Sequence, residues 1–189
     1  YYASRGLGDV YKRQVIASAG ALRTDESCLL AQDAESAGAK GILLAPVSYT
    51  PLGEEEVFQH YASVAGATGL PVCVYNNPGT THFTFSHRLL QRLGTLKQIR
   101  AVKQPGQSGI GEQDVTALRD LFPAEFAVGY SGDWFAAGAL LGGGDVWFSV
   151  VGGLLPQPAL ALTRAAQAGE AERVAELNQQ FEPLWQLFQ

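Results

Sequence analysis

The sequence predicts an α/β chain, an incomplete (β/α)8 TIM barrel with about six of the eight βα units present. Three observations predict it. Six short apolar runs recur, at 15–20, 41–46, 72–77, 99–103, 126–131 and 145–150. They are continuous rather than alternating, which is the pattern of parallel strands covered on both faces. Their starts lie 26, 31, 27, 27 and 19 residues apart, and segments of helical periodicity fill the gaps. Strict alternation of this kind leaves an open doubly wound sheet or a closed barrel. No Gly-x-Gly-x-x-Gly follows any of the runs, so dinucleotide binding has no support. A whole barrel takes about 250 residues.

The elements follow in order. Thr24, Asp25 and Glu26 make a capped, acidic first turn, and Gly38 closes that helix. Gly53 and Glu54, Glu55 and Glu56 open the next. Val57, Phe58, Tyr61, Ala62, Val64 and Ala65 form its inward face, and Gly69 and Pro71 end it. Leu89, Leu90 and Leu93 mark a third helix. Val115, Leu118, Leu121 and Phe122 mark a fourth, stopped by Pro123. Residues 135–141 suffice for one or two helical turns. Gly142, Gly143 and Gly144 read as a turn before the last strand. After it, 159–168 and 171–188 read as two helices with Gly169 between them.

Residues 1–14 show neither periodicity and read as a non-native leader, which places the domain at 15–189. Methionine is absent from the chain, and a fragment of a longer protein is expected. The net charge is -5 with the basic residues scattered, so no nucleic-acid footprint is expected. No apolar stretch reaches the 18 or so residues of a membrane span. Cys28 and Cys73 fall in a predicted helix and a predicted strand, where buried free thiols suit a reducing cytoplasm.

Chemistry is placed at the C-terminal ends of barrel strands. Of four lysines, Lys12 lies in the leader, and Lys40 and Lys97 lie in turns before strands. Only Lys103 ends an apolar run. Burial disfavours an ammonium, and a desolvated lysine becomes a nucleophile toward a carbonyl. Tyr75 ends the preceding run, 28 residues earlier. A strand-end tyrosine is often a core residue with its hydroxyl paired to backbone. Here it is followed by Asn76, Asn77, Pro78 and Gly79, a tight loop that can turn the hydroxyls and N–H groups of Thr80 and Thr81 toward an anion. His60, His82 and His87 lack metal-ligand spacing with carboxylates or cysteines, so no metal is expected. His82 reads as a surface residue, with contact to substrate as the alternative, and Asp133 as the cap of the helix it starts, with orientation of a partner as the alternative. Gly152 and Gly153 follow the last strand, where barrels often hold phosphate.

The Tyr-Asn-x-Pro-x-x-Thr string from Tyr75 to Thr81, with a strand-end lysine at matched spacing, resembles the dihydrodipicolinate synthase and N-acetylneuraminate lyase superfamily. These are pyruvate-dependent class I aldolases on a (β/α)8 barrel. The resemblance implies that Lys103 forms an imine with a 2-oxo acid, needing no other cofactor, and that Tyr75 relays protons. Phe148 and Ser149 would line the pyruvate end, with Asn77, Thr80, Thr81 and Ser48 on the rest of the site. It implies small-molecule partners, a 2-oxo acid and an aldehyde, and a homo-oligomer, commonly a tetramer. Four departures stand out. The family's carboxylate-binding Gly-Thr-Thr-Gly-Glu type motif lies upstream of this chain. Thr80 stands where the lysine-precursor synthase has an arginine for the second substrate's carboxylate. Ser48 stands at the position of a relay tyrosine, with Tyr49 adjacent. Gln104 and Pro105 replace an acidic-small pair. The implied activity is therefore a Schiff-base aldolase or lyase of the dihydrodipicolinate synthase family. The alternatives are a sugar-acid or hydroxy-oxo-acid aldolase or dehydratase of the same superfamily, and a non-catalytic barrel homologue.

Overall fold

The computed structural model describes residues 14–188. Of the leader expected over 1–14, all but Gln14 lies outside the described residues. Strands and helices alternate as the periodicity predicts, and the architecture is that of an incomplete (β/α)8 barrel. The chain divides at Val102 and Lys103 into two compact units.

The first unit holds β1 (Ile16–Ser18), β2 (Gly41–Leu44), β3 (Val72–Tyr75) and the start of β4 (Ile99–Pro105). Strands β1, β2 and β3 pair in parallel, with Ile16 opposite Gly41 and Ile42 opposite Val72. Helix α1 (Thr24–Ser36) returns the chain from β1 to β2, and α2 (Glu54–Ala67) from β2 to β3. The short α3 (Pro78–Thr81) and α4 (His87–Leu93) precede β4. Ile42, Leu44, Val72 and Val74 are buried, as a strand covered on both faces requires. The first strand departs from that expectation: Ile16 is half exposed, and only Ala19 beyond the strand end is fully buried.

Helix α1 begins differently from the expected cap. Its N-cap is Arg23, and the Thr24 hydroxyl bonds the His60 Nδ1 of α2 at 2.9 Å. Gly38 closes the helix with φ at 88°, a conformation that favours glycine. In α2 the Tyr61 ring is fully buried and its hydroxyl donates to the Leu44 carbonyl at 2.5 Å. Phe85 meets that ring edge-on, with centroids 5.8 Å apart. Glu55 pairs with Arg92, whose guanidinium lies 3.6 Å above the Phe58 ring. That pairing holds the Glu55 carboxyl down to about 2.

The second unit holds the rest of β4, α5 (Glu112–Arg119), β5 (Ala127–Ser131), α6 (Ala136–Leu141), β6 (Val146–Trp147), α7 (Pro156–Gln167) and α8 (Ala171–Trp185). Strands β5 and β6 pair in parallel through Gly129 opposite Val146 and Tyr130 opposite Trp147. Helices α7 and α8 close over Leu140 and Val151 with Leu162, Val174, Leu177, Phe181 and Trp185. Gly143, with φ at 95°, makes the turn expected before β6. Among the described residues neither Cys28, which is part-buried, nor Cys73, which is buried, is in a disulfide. No helix among the described residues is long and apolar enough to cross a membrane.

Two outcomes are expected. Tyr61→Phe removes a buried donor and leaves the Leu44 carbonyl without it, lowering stability by about 1–2 kcal/mol in denaturant titrations. His60 carries the pH dependence. Burial holds its imidazole below the ordinary value, and its Nε2 is buried with no hydrogen-bond partner. Because the folded value lies below the unfolded one of about 6.5, the unfolded chain binds the proton first. This contribution is complete above pH 6.5 or so and is lost as pH falls toward the folded value. His60→Gln should flatten the stability profile in that window.

Candidate active site

In the first unit the expected residues gather at the C-terminal ends of β2 and β3. Tyr75 is the last residue of β3 and is half-buried. The Asn77 side-chain amide donates to both the Tyr75 hydroxyl and Thr80 Oγ1 at 3.0 Å. One amide thus fixes the phenol and the threonine together. The segment after β3 is a helical turn, α3, rather than the tight loop expected. Pro78 supplies the preset φ at the first position, where its missing N–H costs nothing. As a result the Thr80 and Thr81 N–H groups both donate to the Asn77 carbonyl, at 3.0 and 2.9 Å, rather than facing an anion. The Thr81 hydroxyl donates to the same carbonyl. The Thr80 hydroxyl keeps its own proton to offer, on an exposed residue. Ser48, beyond β2, accepts from the Thr50 N–H at 3.1 Å, and Tyr49 beside it is 97% exposed. His82 is exposed at the end of α3, as expected of a surface residue.

The second unit begins with Lys103. Strand β4 runs two residues past it, through Pro105, because Gly106 N–H and Gln104 carbonyl both bond Ser131 of β5. Lys103 is half-buried, whereas Lys40 and Lys97 are exposed in turns. Its Nζ lies 5.4 Å from the centroid of the Phe148 ring, within cation–π range. Phe148 and Ser149 fall just beyond β6 rather than within it, since that strand ends at Trp147. The Phe148 N–H still donates to the Tyr130 carbonyl at 2.9 Å, so the ladder fixes its backbone. Ser149 Oγ accepts from the Gly152 N–H at 2.7 Å, and the Gly153 N–H donates to the Val150 carbonyl. The glycine pair therefore turns its N–H groups inward, against the phosphate-holding role its position suggested.

Residues 11–189 match the model of the Dihydrodipicolinate synthetase family. The chain belongs to that family. A dihydrodipicolinate synthase from Agrobacterium tumefaciens superposes with a TM-score of 0.90 at 56% identity, over 94% of this chain and 60% of that one. The 4-hydroxy-tetrahydrodipicolinate synthase of Moorella thermoacetica is 34% identical over 96% of this chain and 60% of its own length. The chloride-inhibited dihydrodipicolinate synthase of Acinetobacter baumannii, solved with pyruvate, superposes with a TM-score of 0.83 at 25% identity. That match covers 98% of this chain and 67% of that one. The chain thus spans about three fifths of the length of the curated relatives it matches.

Two residues of this dihydrodipicolinate synthetase family chain have partners that the sequence does not name. Asp133 does not cap the helical turn it starts. Its buried carboxylate accepts from the Trp147 indole at 2.9 Å and from the Val151 N–H at 2.7 Å, and also from the Val150 N–H. A lone aspartate after Gly132 carries no signal of partners 14 to 18 residues later. Gly129 is the other. A Cβ there would lie 2.5 Å from Phe148 Cε2 and 2.8 Å from Val146 Cβ. The Phe148 ring takes its place beside Lys103 only because β5 has no side chain at that point.

Gly129→Ala should therefore overpack this contact and cost about 1–3 kcal/mol. Phe148→Leu in the same chain should recover part of the loss, read as paired shifts in the denaturant midpoint. Additive losses would mean that the ring is not the obstacle.

Proposed function

We propose that the protein is a Schiff-base class I lyase that joins or cleaves a carbon–carbon bond next to a 2-oxo acid. The observation that carries the reading is Lys103: a half-buried lysine within a strand, facing an aromatic ring, in a chain of the dihydrodipicolinate synthetase family. Pyruvate, the ligand of the Acinetobacter enzyme, is the 2-oxo acid proposed here. The unprotonated Lys103 amine attacks its keto carbon. The carbinolamine loses water to give a protonated imine, which draws electrons from the adjacent carbon. Loss of a C3 proton gives the enamine, whose carbon attacks the aldehyde. Hydrolysis then releases the product and returns the lysine. Tyr75, its hydroxyl held by Asn77, carries protons between carbinolamine, aldehyde oxygen and water. No further cofactor enters this sequence. A cytoplasmic homo-oligomer is the proposed setting.

Thr80 favours a second reading for the aldehyde partner. It is neutral and exposed, and its hydroxyl is fixed by Asn77. Such a group pairs better with a hydroxyl than with a carboxylate, which prefers a bidentate arginine. A hydroxylated, sugar-acid partner fits that chemistry.

The test is borohydride reduction with pyruvate, followed by peptide mass spectrometry of the protein that carries this sequence. A stable adduct is expected on Lys103 and is expected to be absent from Lys103→Ala. Tyr75→Phe should slow trapping by a factor of about 10²–10⁴ without moving the adduct. An unmodified Lys103 with every 2-oxo acid tried would sink the reading.

A further inference from the structure

Phe148 and Ser149 sit between the residues that Asp133 grips. On one side the Trp147 indole donates to Asp133 Oδ1 at 2.9 Å. On the other, the Val150 N–H reaches Oδ1 and Oδ2 at 3.2 Å, and the Val151 N–H reaches Oδ2 at 2.7 Å. Asp133 is 5% exposed, so these bonds form away from water, where they hold geometry most firmly. Between its two anchors the Phe148 backbone bonds Tyr130, and the ring lies against Gly129 with the Lys103 Nζ 5.4 Å from its centroid.

We infer that Asp133 is a positioning residue that fixes Phe148 as the wall of the 2-oxo-acid site and so sets the size of the acid accepted. The inference rests on the proposed imine at Lys103. A carbon attached to an imine carbon lies about 2.5 Å from the nitrogen. Directed at the ring, it comes to about 3 Å from the Phe148 centroid, already inside the contact distance of about 3.5–4.0 Å, so the ring meets the substituent at its first carbon. The methyl of pyruvate fills that space. One more methylene must push the ring, and the ring cannot yield toward Gly129 without striking β5. Asp133 closes the other escape, because moving Phe148 outward breaks charge-assisted bonds on both sides of it.

Asp133→Asn replaces one acceptor oxygen with an NH2 that faces backbone N–H or indole donors. The experiment compares borohydride trapping rates on Lys103 with pyruvate and with 2-oxobutanoate. The wild-type protein is expected to prefer pyruvate. Phe148→Ala should relax that preference about tenfold. Asp133→Asn should relax it in the same direction. In the Phe148→Ala background, Asp133→Asn should change the ratio by less than about twofold, because its effect runs through the ring. A merely structural role would slow both acids equally and leave the ratio unchanged in either background; that result overturns the inference. Trp147→Phe, which removes one donor and keeps the carboxylate, should shift the ratio the same way by a smaller factor. It keeps the test open if Asp133→Asn does not fold. A wild-type protein trapped by neither acid would instead overturn the Schiff-base reading, and the inference with it.

Discussion

A parallel ladder constrains everything else here. Neighbouring parallel strands cannot be joined by a hairpin, so each connection must cross back over the sheet, and a helix does this with its backbone already satisfied. In the first unit, α1 and α2 make these returns while Ile16, Gly41 and Val72 stay in register. Every strand of the unit therefore ends on the same edge, and Ser48 and Tyr75 follow from that. In the second unit the same rule places Ser131, Phe148 and Ser149 at the ends of β5 and β6. The ladder decides where polar side chains gather; their identity decides the chemistry.

The edge is polar because the strands beneath it are not. Val72, Cys73 and Val74 are buried, and Tyr75 at the end of the run is half-buried. A phenol tolerates such a boundary, with its ring in apolar surroundings and its hydroxyl on Asn77. Lys103 obeys the same logic one residue after the fully buried Val102. Its Nζ faces the π-surface of Phe148.

The alternation and the strand-end pair were legible because they depend on local patterns: apolar runs, turn signals and spacing. The strand limits were less so. Strand β6 has two residues where six were expected, because Phe148 and Ser149 leave the pleat while the apolar run continues. Helix α3 was invisible for a related reason. Asn77, Pro78 and Gly79 signal a turn, and the same Pro at a first helical position starts a helix. The partners of Thr24 and Asp133 are set by tertiary structure. Thr24 carries every mark of a cap, yet its hydroxyl meets His60, 36 residues on. Gly129 is illegible in principle, since a missing Cβ means nothing until Phe148 is laid across it.

The shortness of β6 has a physical consequence. Two residues provide few ladder bonds, and so little to hold register. The chain adds two carboxylates instead. At the start of β6, Asp145 accepts from the Val128 N–H at 2.8 Å and pairs with Arg119. At its end, Asp133 accepts from Trp147, Val150 and Val151. Asp145 is exposed, so its pair with Arg119 is screened and contributes little. Asp133 is buried, and losing it would strand backbone donors in a dry setting. The two clamps are therefore unequal: the exposed one steadies the strand start, and the buried one holds the backbone and indole on either side of Phe148 and Ser149. Order in this unit is concentrated where β6 gives way to Phe148, whose ring lies beside Lys103.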